Sequence, residues 1–224
     1  PVGINMPGFI KNIERGEYIK AAGVLKETSA LPAVCGRVCP QEKQCESKCF
    51  YIQKLHKEPV AIGYLERFAS DYERKSDQIT LPHVAPANGI KIAVIGSGPS
   101  GLSFAGDMAK FGYDVTVFEA LHQIGGVLKY GIPEFRLPNA VVDAEIKNLK
   151  KIGVKFVTDF IVGMTDTVQH LEEQGYKGFY VASGAGLPRF MNIPGENSNG
   201  ILSSNEYLTR VNLMGADSPN SETP

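Results

Sequence analysis

The chain has 224 residues, 43% hydrophobic and 21% charged, with 23 Lys and Arg against 24 Asp and Glu. That is enough chain for one large or two small globular units, and a net charge of -1 lacks the basic footprint of a nucleic-acid binder. No stretch approaches the roughly eighteen consecutive apolar residues of a membrane span, and Pro1-Val2-Gly3-Ile4-Asn5 has neither the charge nor the apolar core of a signal peptide, so a cytoplasmic protein with no membrane contact is expected. The absence of an initiating methionine, and a tail of Asp217-Ser218-Pro219-Asn220-Ser221-Glu222-Thr223-Pro224, read as a piece of a longer chain ending in a linker.

In residues 7–25 the apolar Phe9, Ile10, Ile13, Tyr18, Ala21, Ala22 and Leu25 recur at helical spacing, interrupted by Gly16, which fits two short helices. Pro7 suits the first turn of one, and Thr28-Ser29 before Pro32 stops the other. All four cysteines follow within fifteen residues, as Cys35, Cys39, Cys45 and Cys49. Without a secretory signal, such clustering suggests metal or cofactor ligation before disulfides. The spacing is poor for zinc ribbons, which present CxxC knuckles, whereas iron–sulfur clusters accept wider spacings. Pro40 after Cys39 is also similar to the Cys-Pro step of bacterial ferredoxin motifs. Spacing alone favours iron–sulfur and leaves zinc and buried free cysteines open. Residues 59–72 predict an amphipathic helix with Ile62, Leu65, Phe68, Ala69 and Tyr72 on its apolar stripe and Glu66 one position off it. Residues 73–90, with Pro82, Pro86 and Gly89, read as a linker, and the boundary is placed near residue 88, dividing the chain into 1–87 and 88–224.

The strongest pattern comes next. Ile92-Ala93-Val94-Ile95 predicts a strand, Gly96-Ser97-Gly98-Pro99-Ser100-Gly101 a glycine turn, and Leu102 onward a helix. A second strand, Val115-Thr116-Val117-Phe118, ends on Glu119. This is the order of a dinucleotide-binding βαβ unit: one glycine for the turn, one for close approach to a pyrophosphate, one for helix packing, and an acid for a ribose hydroxyl. Gly125-Gly126-Val127-Leu128 and Gly131-Ile132-Pro133-Glu134-Phe135-Arg136-Leu137-Pro138 are too rich in Gly and Pro for a helix. Residues 140–151 predict a helix, 154–156 and 160–162 short strands, 165–173 a helix, and 178–182 a strand followed by the glycine turn Ser183-Gly184-Ala185-Gly186.

Cys35-Gly36-Arg37-Val38-Cys39-Pro40, the stretch from Pro59 through Phe68, the glycine turn, the Gly131-Ile132-Pro133 run and Ile193-Pro194-Gly195-Glu196 closely resemble, in order, the small subunit of NADPH-dependent glutamate synthase and its relatives. Those relatives include the large subunit of NADH-dependent ferredoxin:NADP oxidoreductase (sulfide dehydrogenase) and the amino-terminal half of dihydropyrimidine dehydrogenase. The resemblance implies an α plus α/β protein: an α-helical iron–sulfur domain, truncated here at its start, then a Rossmann-like FAD domain left incomplete because the NADPH domain lies beyond Pro224. It implies 4Fe-4S ligation by Cys39, Cys45 and Glu66 with one upstream cysteine, and by Cys49 with three more, so the ligand sets are incomplete here and Cys35 is not a ligand. It implies FAD contacts from Gly96, Ser97, Gly98, Pro99, Ser100, Gly101 and Glu119, from Gly125, Gly126, Val127 and Arg136 on the inner flavin side, from the Val162 backbone at the adenine, and from Gly184 and Ala185.

The function so implied is an oxidoreductase subunit that moves electrons between NADPH and a partner, a second oxidoreductase or an amidotransferase-type subunit, with no general acid, base or nucleophile from this chain. A reading of another class is a partner-docking unit with a structural metal site. Iron and acid-labile sulfide would mark the first, and zinc in a colourless protein the second.

Overall fold

The computed structural model describes residues 3–223. Helix α1 (Met6–Glu14) starts where Asn5 Oδ1 accepts the Gly8 N–H at 2.9 Å, with Pro7 in the first turn, where a missing N–H is harmless. Helix α2 (Tyr18–Thr28) gives way to extended backbone at Ser29. Helix α3 (Pro32–Val38), two single 3-10 turns (Gln41–Lys43 and Glu46–Lys48) and helix α4 (Phe50–Leu55) carry the cysteines, and α5 (Ile62–Ser76) closes the unit. Phe9, Ala21, Leu25, Ile62 and Ala69 form its core, and full burial of Phe9 and Leu25 is worth about 1.5–3 kcal/mol apiece.

The remainder is an α/β unit: β1 (Lys91–Ile95), α6 (Pro99–Lys110), β2 (Asp114–Phe118), α7 (Val127–Tyr130), α8 (Asn139–Lys151), β3 (Lys155–Val157), α9 (Val168–Glu173), β4 (Tyr176–Val181) and α10 (Ser204–Asn212). The four strands are parallel in the order β3-β2-β1-β4, with Ile92 opposite both Val115 and Gly178. Alternate residues face opposite sides of the sheet. Ile92, Val94, Val115 and Val117 pack with Leu102 and Ala105 of α6 and Val142, Ile146 and Leu149 of α8, while Ala93 and Phe118 pack with Leu171 of α9. Leu31, Ala33 and Val34, at the start of α3, belong to the α8 side of this core. The approach is close: a Cβ on Gly106 would lie 2.9 Å from both Ala30 Cβ and Leu149 Cδ2. Among the described residues no helix is long and apolar enough to cross a membrane.

Four local expectations change. The face that α5 buries carries Glu66, Ser70 and Glu73, while Phe68 and Tyr72, read as core, are each 42% exposed and pack edge-on against the Tyr18 ring. The inward polar groups find distant partners: Lys26 pairs with Glu73, and Gln41 donates to Glu66. Residues 160–162 make no strand beyond a lone bridge from Val162 to Asp166, because Asp159 turns the chain at φ +55° and the Ile161 N–H bonds Thr165 Oγ1. The Gly-rich run after Gly126 winds into the single turn of α7. Residues 73–76 continue α5, and the linker begins at Asp77 in left-handed backbone.

Candidate functional site

The turn between β1 and α6 assigns its three glycines different work. Gly96 has φ +104°, and a Cβ there would collide with Ala182 O, just past β4. A Cβ on Gly101 would collide with Gly96 O and press on Val94 Cγ1, so helix and strand meet only because it is absent. Gly98 is different. Its φ is -65°, and a Cβ on it would meet nothing within 4 Å. No side chain of the turn's own N-cap bonds the start of α6, and Pro99 occupies its first position. Protein packing therefore does not require a glycine at 98. The unfilled space beside α6's first amides suits an anion held by backbone N–H groups.

Beside it, Glu119 is buried at the end of β2. Its Oε2 accepts from the Ser97 N–H at 2.9 Å and from the Ser97 hydroxyl, and its Oε1 accepts from the Leu121 N–H at 2.9 Å. The Gly125 N–H donates to Ser97 Oγ at 2.8 Å, which ties the second glycine pair to the first turn. A Cβ on Gly126, at φ +52°, would stand 2.8 Å from Gly98 Cα. A carboxylate offers about four lone-pair sites, so Glu119 can take one further donor such as a ribose hydroxyl. Ser100 Oγ lies 2.9 Å from Tyr180 Oη, and the Tyr180 ring stacks on Phe104 at 3.9 Å.

The cysteine region is less assembled. Cys39 Sγ lies 3.4 Å from Gln44 Oε1, Cys45 Sγ lies 4.0 Å from Gln41 O, and Cys49 Sγ accepts the Val60 N–H at 3.5 Å. Glu66 accepts from Gln41 Nε2 at 3.0 Å through Oε2, while its Oε1 is buried without a partner. Burial pushes the Glu66 carboxyl up to about 7. Burial, then the Glu66 charge, pushes the Cys35 thiol up to about 12 and raises Cys39, and burial also raises Cys45. The unpartnered Glu66 oxygen fits a ligand role. Among the described residues, however, no three His, Cys, Asp or Glu side chains converge closely enough to hold a metal ion.

Comparison with known proteins follows the same division. Residues 1–78 match the model of dihydropyrimidine dehydrogenase domain II, 4Fe-4S cluster, and residues 90–216 match that of pyridine nucleotide-disulphide oxidoreductase. The chain belongs to the pyridine nucleotide-disulphide oxidoreductase family. It is 40% identical over 189 residues to the NAD-dependent dihydropyrimidine dehydrogenase subunit PreT of Escherichia coli (strain K12), covering 82% of this chain and 45% of that protein. It is 32% identical over 214 residues to the glutamate synthase (NADPH) small chain of Azospirillum brasilense, covering 96% of this chain and 44% of that one. The small chain from Bacillus subtilis (strain 168) is 33% identical over 218 residues, covering 97% and 43%. These are the relatives that the sequence motifs resemble, and this chain spans about half the length of each.

Within this oxidoreductase fold the expected nucleotide residues divide in two. Gly96 to Gly101, Glu119, Gly125 and Gly126 converge on one turn, and Ala182 brings the start of the second glycine turn against it. Gly184, at φ +74°, and Ala185 follow on that turn into open space. Val127 is partly exposed at the start of α7. Arg136 is exposed on a turn braced by its own N–H to Pro133 O at 2.9 Å, and Val162 packs beside Ala93 and Phe118. Sequence reasoning passed over Tyr180. Its place on a predicted strand, three residues before the glycine turn, was the available signal.

Proposed function

We propose that this chain forms part of an electron-transfer oxidoreductase subunit that binds FAD at the β1–α6 turn and carries a 4Fe-4S region in its helical part. The observation that carries the reading is the open space at Gly98, the N-cap of α6, next to Ser97, which binds the Glu119 carboxylate. FAD, when bound, exchanges hydride pairs for single electrons. In this reading the backbone of residues 96–101 cradles the pyrophosphate, and Glu119 holds the ribose while Ser97 and Leu121 fix its carboxylate. Gly125, Gly126, Val127 and Arg136 border the inner flavin side, with Val162 toward the adenine and Gly184 and Ala185 closing from the second turn.

The division at residues 1–87 and 88–224 is part of the proposal, supported by the separate family matches to 1–78 and 90–216. Cys39, Cys45, Cys49 and Glu66 are the proposed cluster ligands, supported by the match to a 4Fe-4S model and by the orphaned Glu66 oxygen. NADPH as electron donor, a partner subunit of amidotransferase or oxidoreductase type and a cytoplasmic setting complete the reading. The relatives' names support a subunit role and both nicotinamide cofactors, since PreT is named NAD-dependent and the glutamate synthase chains NADPH. Titrating the purified chain with FAD and following quenching of flavin fluorescence tests the reading. Saturation near one flavin per chain, unaffected by excess riboflavin, is expected. Linear, unsaturable quenching would overturn it.

A further inference from the structure

Helix α3 carries Cys35 and leads into Cys39, and its N-terminus has no cap in its own sequence neighbourhood. Its N-cap residue Leu31 supplies no side-chain acceptor, Pro32 has no N–H, and the Val34 and Cys35 N–H groups turn back to Leu31 O at 3.2 and 3.0 Å. The buried Ala33 N–H remains, and its acceptor comes from 112 residues away: Glu145 Oε1 on α8, at 2.7 Å. Glu145 is itself enclosed, only 3% exposed, between the helical unit and the α/β unit.

We propose that Glu145 is a positioning residue that sets the register of α3 on the α/β unit through this hydrogen bond, and so fixes where residues 35–39 lie relative to the Gly98 turn. On one side of the bond the packing is apolar, with Leu31, Ala33 and Val34 sharing a core with Ile146 and Leu149. Apolar contact is non-directional and tolerates a shift along the helix, whereas a hydrogen bond to a defined amide does not. Burying a carboxylate is costly unless it is hydrogen-bonded, so the acid answers to a direct polar partner, and two are present, the Ala33 N–H and the Asn148 side chain on its own helix. Lys26 is not a direct partner, because its ammonium is bound by the Glu73 carboxylate and by Thr80 O at 3.0 Å. Glu73 in turn accepts the Thr80 N–H at 2.8 Å, which anchors the linker beside the same contact. A cleft of about 240 Å³ borders the bond. The charged groups facing it are Lys26 of α2, Glu73 and Arg74 of α5, Asp77 just past α5, and Lys147 and Lys151 of α8. The consequence for electron transfer rests on the function proposed above, but the bond and its test do not.

Hydrogen exchange at residue resolution on the full chain, read as α3 amides relative to β1 amides, tests the assignment. Glu145→Gln keeps an acceptor oxygen of the same reach and should leave the ratio within about threefold of the unsubstituted protein. Glu145→Leu removes the acceptor and should raise exchange at Ala33 and the following α3 amides at least about tenfold over β1. Equal ratios in the two variants, including a general rise shared by β1, would overturn the proposal. Because Glu145→Leu also threatens folding, the unsubstituted protein supplies a second readout. The Ala33 amide proton should shift with the same midpoint as the Glu145 side-chain carboxyl carbon when pH is varied. An Ala33 amide that ignores that titration refutes the assignment.

Discussion

Replacing Glu145 by Gln should make the protein more stable, by an amount that grows with pH. Burial raises the Glu145 carboxyl from the ordinary 4.5 to about 7, against the opposing pull of the Ala33 N–H and the Lys26 charge and with the Glu73 charge adding to the rise. For a carboxyl raised in the folded state, the stabilising contribution is full below pH 4.5 and is lost as pH climbs through about 7. At about 1.4 kcal/mol per pKa unit, keeping the ionised form buried at pH 8 costs about 3 kcal/mol. Gln carries no such titration and retains an oxygen for the Ala33 N–H. Thermal unfolding of both proteins at pH 5, 6, 7 and 8 reads the effect, to which Glu66 adds in the same direction, since the Glu145 charge is a secondary cause, after burial, of the Glu66 rise. The melting-temperature difference should open toward alkaline pH by up to about 10 °C, taking 2–4 °C per kcal/mol for a chain of this size. A difference that is flat with pH, or that widens toward acid, refutes the reasoning.

Two further predictions concern the helical unit. Lys26→Ala leaves the buried Glu73 carboxylate without its cation and should destabilise by about 3–5 kcal/mol in urea unfolding; a change under about 1 kcal/mol would mean water already reaches that pair. Because the Cys35 thiol is pushed up to about 12 by burial and the Glu66 charge, iodoacetamide at pH 8 should label Cys35 more slowly than Cys45, as read by peptide mass spectrometry. Labelling of Cys35 first would contradict the upward push on its thiol.

What could be read from the sequence was local. The run from Ile92 to Glu119 announces itself because strand period, glycine positions, helix and acid are all short-range, and the structure places them as β1, α6 and β2 with Glu119 beside Ser97. The separation of a helical unit from an α/β unit was equally visible from the proline-bearing linker. Hidden were the features decided by partners far away in the chain. The face that α5 buries depends on Lys26 and Gln41, so an apolar stripe through Phe68 and Tyr72 pointed the wrong way. Helix α3 carries no cap signal of its own in the sequence, because its N-terminal acceptor sits on α8. The apolar triplet at 160–162 imitates a strand, yet the left-handed Asp159 and the Thr165 hydroxyl bend it into a turn. Around the candidate turn, the glycines and Glu119 are legible because they lie within one βαβ unit, whereas only strand pairing brings Tyr180 to Ser100.

The central claim is that the space over Gly98 is kept for a nucleotide, and one paired measurement tests it: FAD affinity and melting temperature of Gly98→Ala beside Gly101→Ala. A Cβ at 98 meets no protein atom within 4 Å, while one at 101 collides with Gly96 O. Gly101→Ala should therefore destabilise the fold by about 1–3 kcal/mol through overpacking. Gly98→Ala should lose only the cap preference, about 1 kcal/mol or less, yet bind FAD at least about tenfold more weakly, a loss of about 1.4 kcal/mol. Unchanged FAD affinity in a folded Gly98→Ala protein would contradict this and leave the turn without a ligand.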